Sequence, residues 1–152
     1  MSASPNLGAH TVALEIPIQA SRENVWRALV DETGNWWRED FLVTKGDNRR
    51  FQLEPHVGGR LYEETDSGAG LLWFTVTAIE PQKSLNLAGH IAPPWGGPAT
   101  SQLSFQLEDH DGGTLVKFHD YLFGVVSEAM QQAMTDGWKL LLEDGWKSYA
   151  ER

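Results

Sequence analysis

The sequence contains no cysteine in its 152 residues. A disulfide framework, a thiolate zinc site and a cysteine nucleophile are therefore excluded. Chains without cysteine are compatible with a reducing compartment, so we expect a cytoplasmic protein.

Basic residues and long apolar runs are also scarce. Lys and Arg number 12 against 21 Asp and Glu, which gives a formal net charge of −9. This charge disfavours binding to nucleic acid and to anionic membranes, because both select basic proteins. No stretch reaches the ~20 apolar residues of a membrane-spanning helix, and the first ten residues do not resemble a signal peptide. We therefore expect a soluble protein without stable membrane insertion.

Recognisable catalytic and metal-binding motifs are missing. The sequence has no G-x-S-x-G, no H-E-x-x-H and no phosphate-binding loop. Its five histidines are scattered, and no two are spaced as metal ligands are. The sequence thus predicts neither a bound metal nor another cofactor.

Tryptophan, by contrast, is abundant. Seven tryptophans bring the aromatic share to 11%. Tryptophan usually fills hydrophobic cores, but this number in a small domain also suits the lining of an apolar cavity. The length and the hydrophobic content of 41% indicate one globular domain. We expect a flexible tail over residues 1–9 and a single domain over residues 10–152.

The hydrophobic pattern predicts a strand, two short helices, about six further strands and one long helix. Ser21 is a suitable N-cap for the first helix. The predicted strands cover residues 10–18, 60–65, 71–80, 84–91, 100–108 and 115–123, with short apolar runs at 41–44 and 51–54, and a mobile loop at 92–99. Hairpin-length connections indicate an antiparallel sheet with one buried face. Only the final helix, residues 127–152, is long enough to cover that face, which gives an α+β domain.

Two glycines lie within the apolar stripe of this final helix. The stripe comprises Met130, Met134, Trp138, Leu141 and Tyr149, with Gly137 and Gly145 among them. A glycine inside a helix costs about 1 kcal/mol relative to alanine. Either another backbone approaches at these positions, or space is left open for a ligand.

Four stretches of the chain resemble a known family. They are SRENVWRALVDE after the first strand, EPHVGGRLYEE, AIEPQKSLNLAG and the final GWKLLLEDGW. In this order they are similar to the START-like SRPBCC superfamily. More narrowly, they resemble its bacterial branch related to the activator of the heat-shock-protein ATPase and to polyketide cyclase-like proteins. The resemblance covers about residues 10–150.

The resemblance implies a helix-grip fold, in which a curved seven-stranded antiparallel sheet wraps around the long C-terminal helix. Members of the superfamily typically hold lipids, sterols, polyketides or other apolar molecules in a cavity between the two. We therefore expect such a cavity near the glycines of the final helix. The expected ligand-binding residues are Gly137, Trp138, Leu141, Met134, Trp73, Trp95, Phe105, Phe118, Tyr62 and His90.

Asp120 and Glu63 are weak candidates for catalysis. Asp120 shares a predicted strand face with Phe118, and Glu63 alternates with Leu61, so both carboxylates could point inward. A buried carboxylate is costly unless it is hydrogen-bonded or paired. Pointing inward, the two would anchor the polar end of a ligand or act as acid and base.

The alternative interpretation, which we favour for each carboxylate taken singly, is that a bulge turns its side chain outward or that Arg60 or Lys117 pairs with it.

Three functions remain open. The first, which we favour, is binding of a small apolar or amphipathic molecule, by a monomer or a homodimer. The second is an enzyme of the cyclase, dehydratase or hydrolase type that uses Asp120, Glu63 or a cavity histidine. The third is a co-chaperone-like interaction domain. The resemblance ranks it last, because co-chaperones normally carry an additional partner-binding domain for which this chain has no room.

Overall fold

The computed structural model describes residues 7–45 and 48–152. Within them the strands are β1 (Gly8–Ile18), β2 (Arg50–Leu53), β3 (Arg60–Glu64), β4 (Gly70–Glu80), β5 (Ser84–Ile91), β6 (Ala99–His110) and β7 (Gly113–Gly124). The helices are α1 (Arg22–Val30), α2 (Thr33–Trp36), α3 (Glu128–Leu140) and α4 (Ser148–Ala150), with 3-10 turns at Glu39–Phe41 and Pro93–Trp95. Most of the predicted tail lies outside the described residues. β1 begins at Gly8, inside the predicted tail.

The seven strands form one antiparallel sheet in the order β1-β7-β6-β5-β4-β3-β2. Each strand from β2 to β6 pairs with the next along the chain, and β1 pairs with β7 along its whole length. The register shifts between Leu61 and Tyr62 and between Val76 and Ala78, which interrupts the regular alternation. The predicted α+β helix-grip architecture is confirmed.

The long C-terminal helix begins where its sequence predicts. Ser127 Oγ accepts a hydrogen bond from Met130 N over 3.1 Å and so caps α3. Ser21 caps α1 in the same way, with Asn24 N as the donor at 3.2 Å.

The regular helix predicted for residues 127–152 does not continue to its end. After α3 the backbone widens into a π-helix over Leu141–Lys147 before α4 closes the chain. This segment turns Leu142 and Trp146 fully into the core. The Trp146 indole donates to Val25 O over 3.0 Å, which locks the segment onto α1.

The edge strand β1 is covered by polar contacts from the same C-terminal region. Gln131 Nε2 donates to Thr11 O over 2.7 Å, and Lys147 Nζ donates to Pro17 O. These contacts occupy carbonyl groups that an exposed edge would offer to another chain. None of the helices described has the length and apolar character needed to cross a membrane.

Candidate functional site

A cavity of about 460 Å³ lies between α3 and the inner face of the sheet. Its volume is in the range typical of small-molecule sites. The residues that line it are overwhelmingly apolar. The cavity is at the position that the sequence predicts, beside Gly137, Trp138 and Leu141.

The structure places seven of the ten predicted ligand-binding residues around this cavity. They are Trp73, His90, Trp95, Met134, Gly137, Trp138 and Leu141. His90 contributes differently from the others. Its side chain is exposed, because it alternates along β5 with Gly89 and Ile91, whose positions face inward. His90 therefore contributes to the rim and does not project into the cavity.

The other three predicted residues lie elsewhere. Phe105 and Phe118 do face inward, but their ring centroids lie 5.0 Å apart, so the two rings pack against each other. The indole of Trp146 covers Phe105, and that of Trp138 covers Phe118. They belong to the filled part of the core. Tyr62 lies on the outer face of β3, where the guanidinium of Arg60 lies 4.2 Å from its ring centroid. Tyr62 alternates with Leu61 and Glu63, which face inward, so strand periodicity alone places it on this outer face.

Ten lining residues were not predicted. They are Trp37, Phe41, Val43, Leu71, Leu72, Phe74, Ile91, Ser101, Met130 and Ala133. Two carried a usable signal: Met130 belongs to the apolar stripe of the final helix, and Ser101 continues the inward alternation of Leu103 and Phe105. Phe41 and Val43 come from an irregular segment whose sequence has no periodicity to interpret.

The mouth of the cavity opens between β4, the N-terminal half of α3 and the loop after β5. Leu72 and Trp95 are each 53% exposed there although both line the cavity. The loop that carries Trp95 was predicted to present this side chain. This loop lies close to α3: a Cβ placed on Gly96 would be 3.8 Å from Met130 Cε.

The sequence left two explanations for the glycines of the final helix, a close backbone or open space, and each applies to one of them. A Cβ at Gly137 would meet only Phe41 Cε1 within 4 Å, at 3.7 Å, so this position borders open space. A Cβ at Gly145 would lie 2.7 Å from Trp36 O. Gly145 therefore permits the close approach of another backbone, and Gly137 forms the cavity wall.

Asp120 is completely buried behind the cavity wall. Ser101 Oγ donates to its Oδ1 over 2.6 Å and Trp138 Nε1 to its Oδ2 over 2.9 Å. Burial raises the pKa of Asp120, and these two hydrogen bonds only partly offset it. Both donors line the cavity, so Asp120 lies one hydrogen bond from it.

Glu63 is also buried behind the cavity wall, in a different environment. Its carboxylate accepts hydrogen bonds from Val43 N, from Thr44 N and Oγ1 and from Trp73 Nε1. Burial works to raise the pKa of Glu63, but these hydrogen bonds outweigh it and lower the pKa. Glu63 is therefore a fixed anion that anchors the segment before β2 to the sheet.

The favoured interpretation of these carboxylates was wrong. Neither is turned outward, and neither has the cationic partner suggested for it. Arg60 pairs with Glu54 instead, and Lys117 with Glu108. Asp120 and Glu63 instead accept hydrogen bonds from neutral donors, whose positions depend on tertiary structure and not on sequence spacing.

Trp37 provides a further polar group at the cavity. It lines the wall, and its Nε1 is buried without an acceptor among the described residues. A buried donor without a partner is unfavourable by about 1–3 kcal/mol. Across residues 7–45 and 48–152, no group of three His, Asp or Glu side chains is arranged to hold a metal ion.

The model of the family described as Activator of Hsp90 ATPase homolog 1-like protein matches residues 19–151. A solved structure from Rhizobium leguminosarum, 18% identical, superposes with a TM-score of 0.74 over 99% of both chains. The Aha1 dimer from Colwellia psychrerythraea is 25% identical, with a TM-score of 0.63, covering 93% of this chain and 96% of its own. A comparison with curated protein sequences finds no match.

Proposed function

Since the chain belongs to the family of Activator of Hsp90 ATPase homolog 1-like proteins, we propose that it binds a small hydrophobic or amphipathic molecule between α3 and the sheet. The observation that carries this proposal is the open cavity of about 460 Å³. A domain of this size with seven tryptophans has enough large side chains to fill such a space. The chain instead places a glycine, Gly137, at the wall.

The lining supplies the driving force for binding. Aromatic and aliphatic side chains form nearly all of the wall, and burial of apolar ligand surface against them contributes about 25 cal/mol per Å². A ligand that buries about 200 Å² would therefore gain about 5 kcal/mol before the costs of association. The partly exposed Leu72 and Trp95 mark the route of entry.

The polar groups support binding over catalysis. Neither Asp120 nor Glu63 is among the lining residues, so neither reaches a ligand directly. Glu63 is held by four donors and has a lowered pKa, which makes it a poor proton donor at neutral pH. Asp120 has the raised pKa of a candidate acid or base, but Ser101 and Trp138 separate it from the cavity.

A protein-interaction role is the second candidate, and one surface favours it. Tyr121 and Phe123 are 47% and 61% exposed on the outer face of β7, away from the cavity. The relative from Colwellia psychrerythraea is described as a dimer. Sedimentation of the purified chain at micromolar concentration distinguishes the monomer from the homodimer that this face would support.

The cytoplasmic location expected from the lack of cysteine stays a prediction.

Thermal unfolding in the presence of N-phenyl-1-naphthylamine, a neutral apolar probe, tests the binding proposal. At 100 times its dissociation constant a ligand stabilises the folded state by about 2.7 kcal/mol. For a domain of this size that corresponds to a rise in Tm of roughly 5–11 °C. Glucose, a polar control, should leave Tm unchanged. The proposal fails if the probe leaves Tm unchanged at saturation and if native mass spectrometry of freshly purified protein detects no bound small molecule.

A further inference from the structure

The electrostatic environment of the cavity is one-sided. Among the described residues that line it there is no Lys or Arg. Arg49 is largely buried nearby, but it lies outside the cavity and donates to Glu39 and to Thr44 O. A carboxylate ligand would therefore lose its hydration without gaining a cationic partner, which is strongly unfavourable.

Two protein carboxylates lie directly behind the wall. Asp120 is joined to it through Ser101 and Trp138, and Glu63 through Trp73 and Val43. Both carboxylates are at most 1% exposed, so solvent screens their field weakly inside the cavity. Glu63, whose pKa is lowered, repels an anionic ligand and attracts a cationic one, and Asp120 adds to both effects once it has lost its proton.

The hydroxyl of Ser101 adds direction to this field. Its proton is directed at Asp120 Oδ1, 2.6 Å away, so towards the cavity the oxygen presents lone pairs. It is thus an acceptor for an N–H or O–H group of a ligand, and the carboxylate behind it strengthens that hydrogen bond.

The aromatic lining favours the same class of ligand. Trp37, Trp73, Trp95 and Trp138 all contribute to the wall. Tryptophan is the side chain whose ring face attracts cations most strongly, and the attraction increases when the site is dry. The same rings stack on an aromatic group of the ligand.

We infer that the cavity selects arylalkylamines, with the alkylammonium group hydrogen-bonded to Ser101 in front of Asp120 and the ring between the tryptophans, and that it rejects carboxylic acids of the same shape. The inference rests on the proposed function and specifies the ligand class of that site.

Three molecules that differ only at one end test the selection: 4-phenylbutylamine, 4-phenylbutan-1-ol and 4-phenylbutanoate. Their affinities are measured by displacement of N-phenyl-1-naphthylamine at pH 7.5. At this pH 4-phenylbutylamine is cationic and 4-phenylbutanoate is anionic. We expect the amine to bind at least about tenfold more tightly than the carboxylate, with the alcohol between them. A carboxylate that binds as tightly as the amine would overturn the inference and leave the proposed function intact. Failure of the probe and of all three molecules to bind would overturn both.

Asp120→Asn shows whether this carboxylate directs the selection. The amide keeps the shape and can hydrogen-bond to both Ser101 and Trp138. The preference for the amine over the carboxylate should fall by about threefold to tenfold, while the affinity for the alcohol is retained. Asp136→Asn, which removes one exposed charge from α3, should leave the preference unchanged. An unchanged preference in a folded Asp120→Asn protein would contradict the assigned role.

Discussion

The indole of Trp138 donates a hydrogen bond to Asp120 Oδ2 over 2.9 Å, which ties the C-terminal helix to the strand that it covers. The two residues meet at the wall of the cavity, where Trp138 faces the open space and Asp120 lies behind it. The contact therefore connects the stability of the fold with the chemistry of the candidate site.

The raised pKa of Asp120 predicts how stability changes with pH. Because burial raises this pKa above its ordinary value of 3.8, the folded protein holds the proton more tightly than the unfolded chain does. The contribution of Asp120 to the free energy of unfolding therefore falls as the pH rises from about 4 through the raised pKa.

Asp120→Asn removes this titration. Its Tm relative to wild type, followed by circular dichroism between pH 4 and pH 8, should rise with pH, while Asp136→Asn should show no such trend. A variant that is destabilised equally at every pH would contradict this account of Asp120.

Glu63 should behave in the opposite way. Its pKa is lowered below the ordinary value of 4.5, because hydrogen bonds from Thr44, Trp73 and Val43 outweigh burial. Its stabilising contribution is therefore present above about pH 4.5 and is lost as the pH falls through the lowered pKa. Glu63→Gln should lower the free energy of unfolding by about 1.5–3 kcal/mol at pH 7, as expected for hydrogen bonds to a charged group. Urea denaturation at pH 7 and at pH 3 measures this, and a difference that does not shrink at the lower pH would count against it.

Alanine substitutions at Gly137 and Gly145 should change the free energy of unfolding in opposite directions. Alanine at Gly145 would force its Cβ to 2.7 Å from Trp36 O, and backbone cannot move aside as a flexible side chain can. Gly145→Ala should therefore destabilise the fold by about 1–3 kcal/mol. Gly137→Ala meets only ordinary contact with Phe41, so the helix propensity of alanine should stabilise it by up to about 1 kcal/mol. Urea denaturation of both variants checks the pair, and equal losses at the two positions would contradict their assigned roles.

Strand periodicity explains why much of the fold could be predicted from the sequence. Alternation along β7 places Asp120 on the same inward face as Phe118, as predicted. The predicted strand at residues 84–91 matches β5, because hairpin loops with clear turn residues bound it. Such signals are local, and they survive folding because one face of each strand is buried.

The rest depends on tertiary contacts. The register shift between Leu61 and Tyr62 leaves Trp73 of β4 without a partner in β3, and no pattern in the sequence predicts this bulge. The π-helix over Leu141–Lys147 contains Gly145, where the backbone of Trp36 approaches, and the regular 3.6-residue period fails there although the sequence suits an α-helix. Which part of the inner face is filled and which is left open follows from where the indoles of Trp138 and Trp146 lie.

The most direct test of a binding site at this position is a fluorescence titration of N-phenyl-1-naphthylamine with two matched variants. Gly137→Leu places an isobutyl group in the open space beside the cavity, whereas Lys139→Leu adds the same side chain to the exposed face of the same helix. We predict that wild type and Lys139→Leu enhance the probe fluorescence with the same affinity, and that a folded Gly137→Leu protein weakens binding by at least about tenfold, because the ligand and the leucine compete for one space. Unchanged binding by folded Gly137→Leu would contradict the placement of the site between α3 and the sheet.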